Sequence, residues 1–212
     1  MPSLHQLLAQ HSPLLLLDAA SSRIQVGWIG AAGSDARWSV SEEEAGVGLF
    51  QSLQSLGVSP HAAGAWVFCD GPGSVLGTRT VAMALRTWGV LSARPTYAYH
   101  SLALVAAYLG RNDLAVISDA RREAWNHFQL GGTLRRVPVA SLRGELVMPE
   151  HFRTWSQEPA GLTRVADSVA EMLPRVSEYD LFRPIEAPDA FLHEEPSYVT
   201  WTPQVHRAPS AT

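Results

Sequence analysis

The chain has 212 residues, of which 46% are hydrophobic and 17% are charged, and its formal net charge is −4. This composition is typical of a globular protein with a substantial core, and the negative charge argues against a protein that holds nucleic acid by itself through phosphate neutralisation. The sequence has no apolar run of about 18 residues and no signal-peptide pattern, so we expect a cytoplasmic protein with no membrane contact. Cys69 is its single cysteine, so we expect no internal disulfide.

In chain order, the first half of the sequence predicts three strands, a helix, a fourth strand and two more helices. Short apolar or alternating runs indicate strands over residues 14–18, 23–29 and 36–40. Ser41 and Glu44 have the spacing of a capping box, and the apolar residues that follow recur at helical intervals up to Gly57. The later elements are a buried strand over residues 64–69 and apolar helices over residues 75–91 and 101–109.

The same order begins again in the second half. Strands are predicted over residues 113–120, 122–130 and 134–140, and an amphipathic helix over residues 162–173. Three strands and a helix used twice are typical of the duplicated actin-like fold (ASKHA, ribonuclease H-like), an α/β fold with mixed sheets flanked by helices. We predict an N-terminal subdomain over residues 1–111, a smaller C-terminal subdomain over residues 112–206 and a flexible tail over residues 207–212.

Three glycines and a proline in residues 70–79 separate a predicted buried strand from a long helix. The free N–H groups and positive dipole at such a helix N-terminus attract phosphates or carboxylates. Glycine equally lets a second backbone approach where a side chain would collide. The loop alone therefore favours neither a phosphate cradle nor a close packing contact.

Asp18 and Asp119 end the first predicted strand of each half. Actin-like ATPases place carboxylates there to position a magnesium nucleotide through water, which would make the chain a phosphotransferase. Residues 19–23 contain no glycine for a phosphate turn, so we favour the alternative that each aspartate caps its turn by accepting backbone hydrogen bonds. The scattered histidines do not have metal-ligand spacing, and Cys69 is expected to be a small core residue.

The two helices over residues 45–56 and 75–91 carry apolar residues that face either their own sheet or another protein. These residues are Leu49, Phe50, Leu53, Leu56, Val81, Leu85 and Trp88. Gly46 and Gly48 cost the first helix about 1 kcal/mol each relative to alanine, and small residues such as Ala82 and Ala84 allow close helix packing. We predict a partner surface on this helix pair.

The segment Gly71-Pro72-Gly73-Ser74-Val75-Leu76-Gly77-Thr78-Arg79 resembles the Gly-Pro-Gly-Ser-Phe-Thr-Gly-Leu-Arg signature of the TsaB family. The resemblance extends to residues 14–22, to residues 117–123, which are similar to an Ile-Asp-Ala-Arg element, and to residues 195–199. The chain departs from the family pattern in several places: Val75 and Leu76 replace Phe-Thr, acidic residues replace a histidine before the first helix, Val199-Thr200 replaces Leu-Arg, and the second half is shorter than is typical.

The resemblance implies a non-catalytic paralogue of TsaD that pairs with a TsaD-like subunit and supports threonylcarbamoyl transfer to the adenosine beside the tRNA anticodon. A TsaE-like ATPase joins the complex, tRNA is contacted only through it, and the chain forms a homodimer when the partner is absent. No cofactor is expected on the chain alone, and ATP or ADP with magnesium is expected only at the complex interface. Arg79 would anchor the fold or the interface. The alternatives are an independent phosphotransferase and a homodimeric structural protein.

Overall fold

The computed structural model describes residues 1–31 and 35–191. Among these residues the helices are α1 (Leu4–His11), α2 (Ala45–Leu56), α3 (Val75–Leu91), α4 (Ser101–Leu109) and α5 (Val169–Arg175). The strands are β1 (Leu14–Asp18), β2 (Ile24–Ile29), β3 (Arg37–Ser41), β4 (Ala65–Gly71), β5 (Thr96–His100), β6 (Leu114–Asp119), β7 (Ala124–Phe128), β8 (Arg135–Pro138), β9 (Glu145–Pro149), β10 (Thr163–Val165) and β11 (Arg183–Pro184). Residues 195–199 and the predicted tail over residues 207–212 lie outside the described residues.

Two mixed sheets of the same topology form the frame. The first has the order β11-β5-β4-β1-β2-β3, and the second has the order β10-β9-β6-β7-β8. In each sheet the first three strands of the unit pair antiparallel, and the next two join in parallel. The predicted repetition of one unit is therefore confirmed at the level of strand order.

Strand β1 lies at the centre of the first sheet because it is apolar on both faces. Leu15 and Leu17 pack into a core beneath α2 and α3, whereas Leu14 and Leu16 pack into a second core that extends to the second sheet. All four side chains are fully buried, and burial of a leucine contributes about 2 kcal/mol. The same strand thus stabilises both layers.

Helix α4 joins the two sheets. It contacts β4 and β5 of the first sheet, β6 and β7 of the second, and helix α5. Its sequence is apolar on every side, and Leu102, Leu104 and Val105 are buried. A helix of that composition belongs in a core rather than at a surface.

The predicted helix over residues 162–173 is wrong in its first half. Residues Thr163–Val165 form β10, which pairs in parallel with β9, and α5 begins only at Val169. Leu162, Val165, Val169 and Leu173 have helical spacing in the sequence. The two halves of that pattern pack on different elements, so periodicity alone could not separate them.

The predicted capping box at the start of α2 is also wrong. Ser41 belongs to β3, and its hydroxyl accepts a hydrogen bond from the N–H of Glu43 at 3.2 Å. Glu44 is the N-cap residue and makes no side-chain cap hydrogen bond. The sequence prediction missed a true capping box at α1, where Ser3 and Gln6 bond each other's backbone.

Helix α1 and strands β5 and β9 were not predicted from the sequence. The predicted subdomain boundary after residue 111 falls between α4 and β6. Strand β11 comes from the second predicted range but pairs antiparallel with β5 of the first sheet, so the chain returns to the first sheet. Among the described residues, no helix is long and apolar enough to cross a membrane.

Candidate functional site

A narrow cleft lies where the two sheets meet. It is lined from one side by Ala20, Ser21, Gly73 and Ser74, and from the other by Ser118, Asp119, Phe152, Arg153 and Trp155. Its cavity volume is about 10 Å³, close to the space that one water molecule needs. Ligand pockets usually enclose about 300 Å³ or more, so the cleft in this conformation has no room for a nucleotide.

The glycine loop closes one side of the cleft by direct backbone packing. A Cβ atom on Gly73, which has φ of +152°, would lie 2.2 Å from the carbonyl oxygen of Ala20, and one on Gly77 would lie 2.0 Å from that of Ala19. The N–H of Ser74 donates to the Ala20 carbonyl at 2.7 Å. Of the two sequence interpretations, the structure therefore shows the close backbone approach.

The N-terminus of α3 is capped by a residue of the loop itself, Ser74. The Ser74 hydroxyl accepts a hydrogen bond from the N–H of Gly77 at 3.2 Å, as an N-cap does. The N–H of Thr78 donates to the Ser74 carbonyl, which begins the helix. Gly77 is buried against the turn after β1, so the N–H groups of Ser74, Gly77 and Thr78 are bonded within the protein.

Asp18 caps the turn after β1. Its Oδ1 accepts a hydrogen bond from the N–H of Ala20 at 2.9 Å, and its Oδ2 accepts one from the Tyr99 hydroxyl at 2.5 Å. Burial raises the pKa of the Asp18 carboxyl, the hydrogen bonds from Tyr99 and Ala20 offset this in part, and the Asp167 carboxylate adds to the rise. Burial also raises the pKa of the Cys69 thiol, which agrees with a core role for that residue.

Asp119 caps the turn after β6 and holds a third segment as well. Its Oδ1 accepts the N–H of Arg121 at 2.5 Å, and its Oδ2 accepts the N–H groups of Trp155 at 2.7 Å and Ser156 at 2.6 Å. Burial alone would raise the pKa of Asp119, but the hydrogen bonds from Ser156, Trp155 and Arg121 together lower it. Both aspartates thus act as caps, with their oxygens engaged by the protein's own donors.

Five of the seven residues predicted to bind a partner belong to the core instead. Leu49, Leu53, Leu56, Val81 and Leu85 are each at least 91% buried, against the first sheet. Most of the residues predicted to form a partner surface thus lie on the helix faces that pack against the sheet. Both helices also carry exposed apolar residues, so hydrophobicity alone does not tell which face is outward. Phe50 is 53% exposed, and its ring meets that of Trp88 edge to face at 6.4 Å.

The small residues of the helix pair serve internal packing. A Cβ atom on Gly48 would lie 2.5 Å from Ile24 Cδ1, whereas one on Gly46 would meet nothing within 4 Å. Ala82 and Ala84 are buried. Close packing through Gly48, Ala82 and Ala84 is therefore with the chain's own elements.

A different apolar stripe faces outward on α3. Leu76, Met83 and Val90 are spaced seven residues apart and are 77%, 57% and 86% exposed. The intervening Thr80 and Thr87 donate their hydroxyls to the carbonyls of Leu76 and Met83. We call Leu76, Thr80, Met83, Thr87 and Val90 the outer stripe.

Helix α2, which packs beside α3, also exposes apolar side chains. Val47 and Phe50 on α2 are 48% and 53% exposed, so α2 adds apolar surface beside α3. Arg79 is exposed beside the stripe and makes no hydrogen bond or ion pair among the described residues. Within the described ranges Arg79 thus has no polar contact, and its predicted role as an anchor of the fold or the interface stays a prediction.

A second polar cluster was not singled out from the sequence. Asp70 is buried and bonded on one oxygen to His100 Nδ1 at 3.0 Å and on the other to the guanidinium of Arg183. The N–H of Phe191 donates to the Asp70 carbonyl at 2.7 Å. The cluster ties residues 183–191 to the end of β4, and only long-range contacts, which one sequence does not show, could have revealed it.

Polar contacts also join the two halves. The N–H of Ser22 donates to the carbonyl of His151 at 2.9 Å. The Gln25 amide donates to the Asp167 carbonyl at 3.0 Å and accepts the N–H of Val169 at 2.8 Å. Within the described ranges, no three His, Cys, Asp or Glu side chains are placed to hold a metal ion.

The two mixed sheets flanked by helices define an actin-like fold, as predicted. YeaZ from Pseudomonas aeruginosa matches with a TM-score of 0.58 at 21% identity, over 78% of this chain and 90% of its own. An uncharacterised protein with similarity to peptidase YeaZ, from the same organism, matches with a TM-score of 0.57 at 19% identity, over 88% of this chain and 99% of its own. Neither a scan against protein-family models nor a search of curated proteins found a match.

Proposed function

We propose that the chain is a non-catalytic subunit that docks a TsaD-like threonylcarbamoyl transferase and supports its modification of tRNA. The observation that carries this proposal is the outer stripe, an apolar helical face that the described residues leave exposed on a fold shared with YeaZ. The glycine loop over residues 71–79 also resembles the TsaB signature in sequence. Apolar patches of this kind on a soluble domain usually mark an interface.

The heptad spacing of Leu76, Met83 and Val90 suits a helical partner. Side chains seven residues apart lie on one face of a helix and fit between the side chains of an opposing helix. Thr80 and Thr87 use their hydroxyls internally, so they present methyl groups to a partner. We infer that the partner contributes an apolar helix to this face, and that docking favours the productive arrangement of its active cleft.

The alternatives have less support. An independent phosphotransferase would need the cleft to open and Asp18 and Asp119 to release the backbone groups that they now bind. A peptidase would need an activated nucleophile, and among the described residues no serine, threonine or cysteine side chain hydrogen-bonds to a histidine. A homodimer through the outer stripe is compatible with the proposal as a resting state.

The variant Met83→Asp tests the docking surface. Met83 is 57% exposed at the middle of the outer stripe, so a carboxylate there would be desolvated by a partner but not by folding. We expect affinity for a TsaD-like protein to fall by about 100-fold or more, with the free energy of unfolding changed by less than about 0.5 kcal/mol. Calorimetric titration and urea unfolding measure the two quantities.

Two further variants serve as controls. Val139→Asp places the same charge at a residue that is 41% exposed outside the helix pair, and it should leave binding intact. Leu85→Asp buries a charge in the core and should unfold the chain. If the wild-type chain bound no TsaD-like protein, or if Met83→Asp bound it as tightly as wild type, the proposed docking surface would be wrong.

A further inference from the structure

The turn between β6 and β7 is strained in an unusual way. Three consecutive non-glycine residues, Arg121, Arg122 and Glu123, have left-handed φ angles of 60°, 53° and 58°. Each such residue costs about 1 kcal/mol or more. The turn is held in place by the Asp119 carboxylate and by the hydrogen bond from the Ala124 N–H to the Arg121 carbonyl at 3.1 Å. Strain maintained by the surrounding structure points to a requirement on where these side chains lie.

One buried carboxylate positions both members of an exposed cation–aromatic pair. Asp119 binds the backbone of Arg121 through Oδ1 and the backbone of Trp155 through Oδ2. The Arg121 guanidinium carbon lies 4.5 Å from the centre of the Trp155 ring, and Trp155 is 55% exposed. A stacked guanidinium keeps its N–H edge free while its face covers the indole.

Positive charge at this edge of the cleft is left unneutralised. Arg121, Arg122 and Arg153 are exposed, and none of them makes an ion pair within the described part of the chain. Five other arginines are each paired with a carboxylate, namely Arg23, Arg86, Arg111, Arg164 and Arg183, whereas Arg94 and Arg143 bond backbone carbonyls. The carboxylate oxygens of Asp119 accept backbone hydrogen bonds. The exposed carboxylate of the β6–β7 turn is therefore that of Glu123. We call Arg121, Arg122, Arg153 and Trp155 the arginine–tryptophan surface.

We propose that the arginine–tryptophan surface binds single-stranded RNA, with the arginines on phosphates and the indole of Trp155 beneath a base. Guanidinium groups bind phosphate through paired N–H donors, and exposed aromatic rings stack on unpaired bases. An acidic protein surface could pair with the arginines, but it would give no reason for the exposed indole of Trp155 beside them. The inference rests on the proposed function in one respect, since the RNA would be the tRNA of the complex. Because the net charge of the chain is −4, this surface would add to RNA contacts made by the partner and would not replace them.

Binding of a fluorescent oligouridylate of about 15 nucleotides to the isolated full-length chain tests this surface. By anisotropy at about 0.05 M salt, we expect a Kd of roughly 10⁻⁵ M for wild type. The double variant Arg121→Gln/Arg153→Gln should weaken binding about tenfold and reduce the slope of log Kd against log salt by about 1.4. Trp155→Ala should weaken binding about tenfold with the slope unchanged.

Arg175→Gln is the matched control. Arg175 also lies over an aromatic ring, 5.4 Å from the centre of the half-buried Tyr108, and its loss should leave RNA binding unchanged. The RNA assignment is overturned if wild type does not bind, if Arg175→Gln weakens binding as much as the double variant, or if a polyglutamate of equal charge competes as well as unlabelled RNA. Binding of a TsaD-like protein by the same preparations separates this outcome from failure of the proposed function.

Discussion

Single glycines decide how closely the loop before α3 approaches the turn after β1. The carbonyls of Ala19 and Ala20 occupy the space that side chains on Gly77 and Gly73 would need. Glycine is required at these positions because the backbones meet there, whereas Gly57 and Gly110 simply end helices in the left-handed conformation. The glycines of the loop over residues 71–79 therefore allow close backbone packing in this chain.

Gly73→Ala should destabilise the fold strongly. The new methyl group would lie about 2.2 Å from the Ala20 carbonyl oxygen, and φ of +152° is unfavourable for alanine. We expect a loss of at least about 3 kcal/mol in the free energy of unfolding, measured with urea. Gly46→Ala is the control, since its Cβ meets nothing within 4 Å, and it should stabilise the helix by about 1 kcal/mol. Equal stability of Gly73→Ala and wild type would contradict the packing role.

The two capping aspartates should respond to neutralisation in opposite directions. The pKa of Asp18 is raised above its ordinary 3.8 in the folded state, so folding favours its protonated form and stability falls as pH rises from 3.8 through the folded pKa. The pKa of Asp119 is lowered, so its contribution is present above 3.8 and is lost as pH falls through the folded pKa.

Asp18→Asn should therefore stabilise the chain near pH 7, with the gain disappearing below the ordinary pKa of 3.8. Asp119→Asn should destabilise it near pH 7 by about 1 to 3 kcal/mol, because an amide nitrogen cannot accept the N–H groups of Trp155 and Ser156. Urea unfolding of both variants across pH measures this. If both substitutions changed the free energy of unfolding in the same direction near pH 7, the opposite pKa shifts assigned to Asp18 and Asp119 would be wrong.

At the scale of elements, helix α2 begins without a side-chain cap. Glu44 is the N-cap residue and its side chain makes no cap hydrogen bond, so the N–H groups of the first turn lack that partner. Glu44→Ser should raise the free energy of unfolding by about 1 kcal/mol by supplying an acceptor. Thermal unfolding measures it, with Glu43→Ser as the neighbouring control. An unchanged midpoint for Glu44→Ser would show that the first turn is already satisfied.

The elements that could be predicted from the sequence are those with a strong local pattern. Helices α3 and α4 were predicted with the bounds that the structure shows, because long apolar runs and the glycine at residue 110 mark them. Strand β10 has three residues and is defined by pairing with β9, and β11 by pairing with β5. Such strands have no local signal, since long-range pairing creates them.

The site was predictable in part for the same reason. A cap uses a carboxylate and nearby backbone, so the capping interpretation of Asp18 and Asp119 followed from their position at strand ends and is confirmed. The second bond of Asp119, to residues 155–156, could not be predicted. The outward face of α3 was missed because hydrophobicity alone does not distinguish Leu76 from Leu85; burial does.

For the whole molecule, the duplicated topology places the outer stripe on the first unit and a narrow cleft between the two sheets. The first unit keeps long helices on its outer face, and the second replaces the corresponding connections with a short 3₁₀ turn at Val139–Ser141 and irregular chain. Within the described part of the chain, the long exposed apolar helical face therefore belongs to the first unit. Polar contacts at Ser22 and Gln25 hold the units together, so the proposed docking on α3 would act next to the cleft that the N-terminus of α3 lines.

The most direct test is threonylcarbamoyl transfer to tRNA by a TsaD-like protein with its ATPase, assayed with and without this chain. We expect no stimulation by the chain carrying Met83→Asp, full stimulation by wild type and by the Val139→Asp control, and no transfer by the chain alone. Stimulation by Met83→Asp equal to that by wild type, or no stimulation by the wild-type chain, would contradict a subunit that acts by docking through the outer stripe.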